Sequence, residues 1–285
     1  MRSSLLSTIK FVARRIVPAR LRRRAWDAVV GPYVDRAALR AVAKLARTNH
    51  ETLARPVEEL IEILQANGYR PAFDDIEAAL GLAFRGFSCQ DLIAYIYFNA
   101  KPQGFFVDIG AFDGVQISNT CVLEQVGWDG ICIEPIPEVF ETLQKNRACH
   151  LYNVAIAGQS RKDAKFYKVA DQLGLSGLEQ QMPERIQKGL RKQGLEIESL
   201  SVQTMTFDEV MKDHPAIGFI DFLSLDVEGG EMQVLETIDF ERFRFGLITI
   251  ENNPGTAVLR EYMAKRGYRI LLDLGVDLMF VRAKD

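Results

Sequence analysis

Two short apolar runs frame the chain. Gly104 to Val107 leads into Asp108, a run short and bulky enough for a strand buried on both faces, and Gly130 to Ile133 is a second such run ending in Glu134. Between them Gly110 and Gly114 punctuate a turn, and Ser118 to Val126 follows as a helix. Further along, Cys149 to Ile156 reads as a third strand ending in Ala155-Ile156-Ala157-Gly158, whose small residues leave room for a flat ring. Phe219 to Leu225 and Phe245 to Ile250 are the next buried strands. Tyr268 to Leu274 and Leu278 to Val281 close the chain as a hairpin around Gly275-Val276-Asp277. Seven strands with helices between them predict an α/β fold, a Rossmann-like doubly wound sheet whose last strand is antiparallel. Residues 163–206 do not follow this alternation. Leu173 to Gly194 is polar, basic and punctuated by glycine, the pattern of an ordered insertion that serves a substrate.

The first hundred residues have a different pattern. Leu5, Ile9, Val12 and Ile16 stand at helical spacing, with Lys10, Arg14 and Arg15 on other faces, and Pro18 ends that helix. Asp35 to Ala46 carries Leu39, Val42 and Leu45 at the same spacing. Pro56 opens another helix with Glu58 and Glu59 at its positive end, stopped by Asn67-Gly68. Asp74 and Asp75 can cap a third. Ser88 with Asp91 resembles a capping box ahead of Leu92, Ile93 and Ile96. The expected division is a basic amphipathic segment over 1–26, a helical subdomain over 27–100, and a cofactor-binding domain over 101–285. The helical part is either a lid on the substrate side or an appendage with a packing role.

Charge sharpens this division. The net charge is −3, yet residues 1–26 carry seven Arg and one Lys with no acid, which leaves −11 for the other 259 residues. An acidic main body argues against nucleic acid as substrate. The basic segment fits a loose peripheral membrane contact, a solvated or partner-packed helix, or a transit peptide. No apolar run reaches 18 residues, and three apolar residues between Lys10 and Arg14 are too few for a signal-peptide core, so a cytoplasmic location is expected. Cys89, Cys121, Cys132 and Cys149 form no CxxC pair and read as reduced thiols. Trp26 and Trp128 are expected to pack. His50, His150 and His214 are not expected to do chemistry.

The chemistry gathers where strands end. Glu134 closes the second strand about twenty residues after the glycine turn, the place from which an acid accepts both ribose hydroxyls of a nucleotide cofactor. Phe112 stands where a dinucleotide fingerprint would have glycine and crowds a pyrophosphate, and Asp113 sets a negative charge where a phosphate would sit. A cofactor with cationic parts and a small carboxylate, as in S-adenosylmethionine, suits these residues better. The bland alternative is an ordinary tight turn.

The stretches FFVDIGAFDG, SNTCVLEQVGWDGICIEPIPEVFETLQKNR, NVAIAG and FIDFLSLDVEGGEMQVLE resemble those of the FkbM-type S-adenosylmethionine-dependent methyltransferases. The resemblance runs from about Ser88 to the C-terminus and departs from the family at Phe112, where a polar residue is expected. It implies a class I methyltransferase fold. On this reading Asp108, Gly110, Ala111, Asp113, Gly114, Glu134, Pro135, Ala155 and Asp226 bind the cofactor. Asp226, Glu228 and Glu251 form the catalytic set, and Asp226, Glu251 and Asn252 are the ligands for Mg²⁺ or Mn²⁺, hard oxygen donors similar to those of catechol-type O-methyltransferases. Alternatively, Asp226 only positions the cofactor and Glu251 only caps or pairs. The implied reaction is O-methylation of a sugar, glycan, lipid-linked or secondary-metabolite hydroxyl. Two other functions stay open: a nucleotide-dependent oxidoreductase on the same sheet, and a non-catalytic binding module.

Overall fold

The computed structural model describes residues 82–98, 101–170 and 172–283. The basic segment 1–26, the expected helices between 27 and 81, Trp26 and His50 lie outside the described residues.

Two compact units divide the chain: Met1–Gly104 with Ile117–Trp128 and Leu272–Val276, and Phe105–Gln116 with Asp129–Leu271 and Asp277–Asp285. The described part of the first unit holds α1 (Gln90–Tyr97) and α2 (Cys121–Gln125). The expected capping box does not form at α1. The Ser88 hydroxyl has no hydrogen-bond partner, and the buried Asp91 carboxylate instead accepts from the backbone of Arg85 and of Leu92. Burial pushes Asp91 up to about 6 against the pull of those bonds. Helix α2 is shorter than the expected Ser118–Val126, because the Ser118 hydroxyl accepts from the amides of Thr120 and Cys121 and holds the preceding turn non-helical. Trp128 packs, as its sequence context suggests: its indole N–H donates to the Lys101 carbonyl, and its ring meets Phe98 edge-on at 5.1 Å.

The second unit carries the sheet that positions the site. Its strands are β1 (Phe105–Ile109), β2 (Asp129–Ile133), β3 (His150–Tyr152), β4 (Ala155–Ile156), β5 (Arg161–Val169), β6 (Gly177–Leu178), β7 (Ile197–Met205), β8 (Phe219–Leu225), β9 (Arg244–Glu251), β10 (Tyr268–Asp273) and β11 (Asp277–Arg282). Among the described residues, seven of them make one sheet in the order β10-β11-β9-β8-β1-β2-β3. β1 pairs in parallel with both β2 and β8, β8 with β9 in parallel, and β11 antiparallel with β9. This is the expected doubly wound sheet with an antiparallel last strand. Val107, Ile109, Ile131, Ile133, Leu223, Ile248 and Ile250 face one continuous core, closed by Phe207, Leu235, Leu259 and Met263 from outside the sheet. β1 is buried along its whole length, which is why it reads as an unbroken apolar run.

The chain travels outward from β1 to β2 and β3, then returns to β8 on the other side of β1. The reversal point therefore lies between β1 and β8, and the crevice beyond their carboxyl ends is where such sheets bind ligands.

One expected strand is split. Cys149 to Ile156 does not run through: β3 joins β2, while Ala155–Ile156 leaves the main sheet and pairs with Thr204 and Met205 of β7. The break falls at Asn153, whose side-chain amide donates to the carbonyls of Glu134 and Pro135 and draws the backbone out of the ladder. The four strands β4-β7-β5-β6 make a second sheet, with β5 antiparallel to both neighbours. The expected insertion is the excursion between β5 and β7, carrying helix α4 (Glu184–Lys192) after α3 (Pro137–Asn146) earlier in the chain. Short helices α5 (Phe207–Val210) and α6 (Glu231–Leu235) and the longer α7 (Thr256–Ala264) complete the unit.

Candidate active site

The glycine turn is built against the protein itself. Gly110 has φ +88, and a Cβ there would lie 1.8 Å from the Asp226 carbonyl oxygen. Gly114 has φ +76, and a Cβ there would meet Leu143 and Arg147 of the α3 end at 2.5 and 2.6 Å. The missing side chains thus let the turn close on β8 and α3. The amides of Gly110 and Ala111 both donate to the Ile133 carbonyl, and the Asp226 amide donates to the Ile109 carbonyl, so the ends of β1, β2 and β8 are tied together. Asn146 donates to the Asp113 carbonyl at 2.8 Å and Arg147 to the Gly114 carbonyl at 3.1 Å. The Asp113 carboxylate is engaged within its own loop, accepting from the amides of Val115 and Gln116 and from the Gln116 side chain. Asp108 is buried on β1 opposite Cys132.

Glu134 follows β2 directly and is 5% exposed. One oxygen accepts from the Ile136 amide at 2.8 Å and the other from the Phe112 amide at 3.2 Å. Burial pushes its carboxyl up to about 7, Glu138 adds to that rise, and the two amide bonds oppose it. The group is thus protonated in the folded chain between pH 4.5 and about 7, where the unfolded chain is ionised. Its contribution to stability is largest below pH 4.5, falls as pH rises to about 7, and is flat beyond. Phe112 has φ +54, and its side chain packs against a cluster of Ile136, Val139, Ala155, Ala157 and Phe166. Ala155 and Ala157, the small residues expected to leave room for a flat ring, share this cluster, and Ala155 lies in the second sheet.

Asp226, Glu228 and Glu251 meet beyond the carboxyl ends of β8 and β9, each offering an oxygen within 4.8 Å of the others. Glu228 holds φ +56 and Gly229 φ +111, an uncommon backbone for a non-glycine residue, and a Cβ on Gly229 would meet nothing within 4 Å. Asn252, expected among the ligands, donates its amide to the Thr256 hydroxyl at 3.0 Å. The amide that joins the acids is Asn253: it donates to Glu251 at 2.6 Å and to Glu231 at 3.2 Å. Glu231 is fully buried, accepts from the Gly229 amide, and is pushed up by burial and by the nearby Asp226 charge. Sequence reasoning gave neither Glu231 nor Asn253 a role. Their signal was the DVEGGE and ENN runs read as units. The insertion reaches this place too: a Cβ on Gly230 would lie 2.0 Å from the Gln181 side-chain nitrogen.

The two histidines among the described residues lie elsewhere. His150 opens β3 beside Asp129, and His214 meets Tyr152 Oη at 2.9 Å near the start of β8, away from the strand ends that carry the acids.

A doubly wound sheet with a glycine turn after β1, an acid after β2 and acids at the ends of β8 and β9 is a Rossmann-like architecture. The chain belongs to the Methyltransferase FkbM domain family, which matches residues 108–270, more than half of its length. It is a methyltransferase, and the family implies use of S-adenosylmethionine. Among curated proteins none matches this chain. Solved structures to which it is similar include the ribosomal protein L11 methylase of Lactobacillus delbrueckii subsp. bulgaricus. That comparison has 9% identity and a TM-score of 0.38, covering 69% of this chain and 79% of that one. The METTL16 methyltransferase domain is another, at 12% identity and TM-score 0.38, covering 74% and 77%. Among the described residues no helix is long and apolar enough to cross a membrane.

Proposed function

We propose that this methyltransferase transfers the methyl group to a hydroxyl of a sugar, glycan, lipid-linked saccharide or related secondary metabolite. The observation that carries the reading is the convergence of Asp226, Glu228 and Glu251 within 4.8 Å of one another, at the ends of β8 and β9 on the same edge of the sheet as the cofactor turn. S-adenosylmethionine supplies a sulfonium methyl that reacts by in-line displacement. The chain must then align the acceptor and take or polarise its hydroxyl proton. Carboxylates at this place do that directly, or by holding a divalent cation. Three hard oxygen donors this close fit Mg²⁺ or Mn²⁺. The open space beside Gly229 leaves room for a ligand next to Glu228.

Glu134 is assigned to the ribose. Its two backbone bonds use one lone pair of each oxygen, which leaves a second on each for the two ribose hydroxyls. The hydroxyls donate to the ionised form, so S-adenosylhomocysteine should bind more tightly as pH rises from about 6 to about 7, releasing protons, and level off above. Glu134→Gln should bind about tenfold more weakly at about pH 8, since a bond to a charged group contributes about 1.5–3 kcal/mol, and should lose that pH dependence. Calorimetric titration across the pH range checks both, and an unchanged profile in the variant would move the ribose contact elsewhere.

Metal dependence has its own test. Activity should fall after treatment with EDTA and return with Mg²⁺ or Mn²⁺, and full activity in excess EDTA would leave the carboxylates acting alone. The basic segment 1–26 is assigned to peripheral contact with anionic lipid, the acidic main body makes nucleic acid a poor acceptor, and the compartment is the cytoplasm.

A further inference from the structure

Two reduced thiols meet beside β2. Cys132 lies in that strand and is fully buried. Cys149 occupies the bend before β3, outside the ladder that begins at His150, and is partly exposed. Their sulfur atoms are 3.6 Å apart. A disulfide brings two sulfurs to about 2.05 Å, so each would move by roughly 0.8 Å.

We propose that Cys132 and Cys149 form an oxidation site, a dithiol that peroxide closes to a disulfide and that thereby weakens cofactor binding. Cys149, the accessible partner, reacts first: its sulfur takes one oxygen of hydrogen peroxide, an S–O bond forms as the O–O bond breaks, and one water leaves. Cys132 then attacks that sulfur, the S–S bond forms as the S–O bond breaks, and a second water carries off the Cys132 proton. In balance, two thiols and one peroxide give one disulfide and two waters.

The effect on the cofactor rests on the methyltransferase reading. Cys149 follows Asn146 and Arg147 by three and two residues, and these two side chains hold the carbonyls of Asp113 and Gly114 in the glycine turn. Arg147 is buried, with its guanidinium over the Phe106 ring at 5.3 Å, so a shift of the link to Cys149 passes into the turn.

The experiment treats the purified full chain with hydrogen peroxide, counts thiols, maps peptides, and titrates S-adenosylhomocysteine before and after dithiothreitol. The four cysteines should fall to two titratable thiols, with a linked peptide joining 132 to 149. Affinity should drop several-fold and return on reduction. Cys149→Ser, and separately Cys132→Ala, should form no linked peptide and keep their affinity through peroxide treatment. Four surviving thiols, a link between other cysteines, or an oxidised protein with unchanged affinity would overturn the proposal. If the reduced protein fails to bind S-adenosylhomocysteine at all, the cofactor reading falls, while peptide mapping judges the disulfide independently.

Discussion

Gly110→Ala is expected to remove a large share of the enzyme's stability, about 4 kcal/mol or more. The added methyl would sit 1.8 Å from the Asp226 carbonyl oxygen, a backbone atom that cannot rotate away, at a residue whose φ is +88. The backbone conformation alone costs about 1–2 kcal/mol for an L side chain. Relieving the clash means parting the ends of β1 and β8, which loosens the bond from the Asp226 amide to the Ile109 carbonyl and those from Gly110 and Ala111 to Ile133. Together the loss should reach about 4 kcal/mol or more, the upper tail for one substitution and a large share of the roughly 5–15 kcal/mol that holds a domain. Gly189 is the control: it is helical, has ordinary φ, and an added methyl there would find no atom within 4 Å, so Gly189→Ala should be neutral or stabilising by about 0.5–1 kcal/mol. Urea unfolding of the two variants checks the pair, and a Gly110→Ala protein within about 1 kcal/mol of wild type would show that the turn yields more readily than its geometry implies.

Asp226→Asn should separate activity from stability. The backbone of Asp226 does the structural work, donating to Ile109 and closing on Gly110, and the substitution leaves that backbone in place. The carboxylate stands among Glu228 and Glu251 and pushes buried Glu231 upward, so removing one negative charge relieves repulsion. Thermal stability should hold or rise slightly. Turnover should fall by about 10²–10⁴, the usual contribution of a positioned acid or base, with S-adenosylhomocysteine affinity changing far less. A variant that retains turnover, or one that loses its fold, would remove Asp226 from the reacting face.

Much of this architecture could be read from residue order. Phe219 to Leu225 coincides with β8, and Phe245 to Ile250 lies within β9, because a strand buried on both faces is mostly apolar and ends where polarity returns. Glu134, Asp226 and Glu251 were legible for the same reason: each is the acid at or next to the end of such a run. The second sheet was harder to see. β5 is charged over most of its exposed first half, and only the alternation of Leu200, Val202 and Thr204 in β7 hinted at a strand with one wet face. The split after Tyr152 was not visible, since Asn153 leaves the ladder by bonding carbonyls nineteen and eighteen residues earlier in the chain.

The sequence by itself determined most strands of the main sheet, their order of appearance, the glycines of the turn and the acids that close the buried runs, because burial and backbone freedom are local demands on residue type. Tertiary structure alone decided what those residues meet. It set Gly110 against the Asp226 carbonyl, joined Glu251 to Glu231 through Asn253 while turning Asn252 to Thr256, placed Gln181 beside Gly230, and brought Cys132 to 3.6 Å from Cys149. Such neighbours depend on how distant strands register and how loops close over them. Those relations are set by the packing of the whole sheet, and no short stretch of chain carries them.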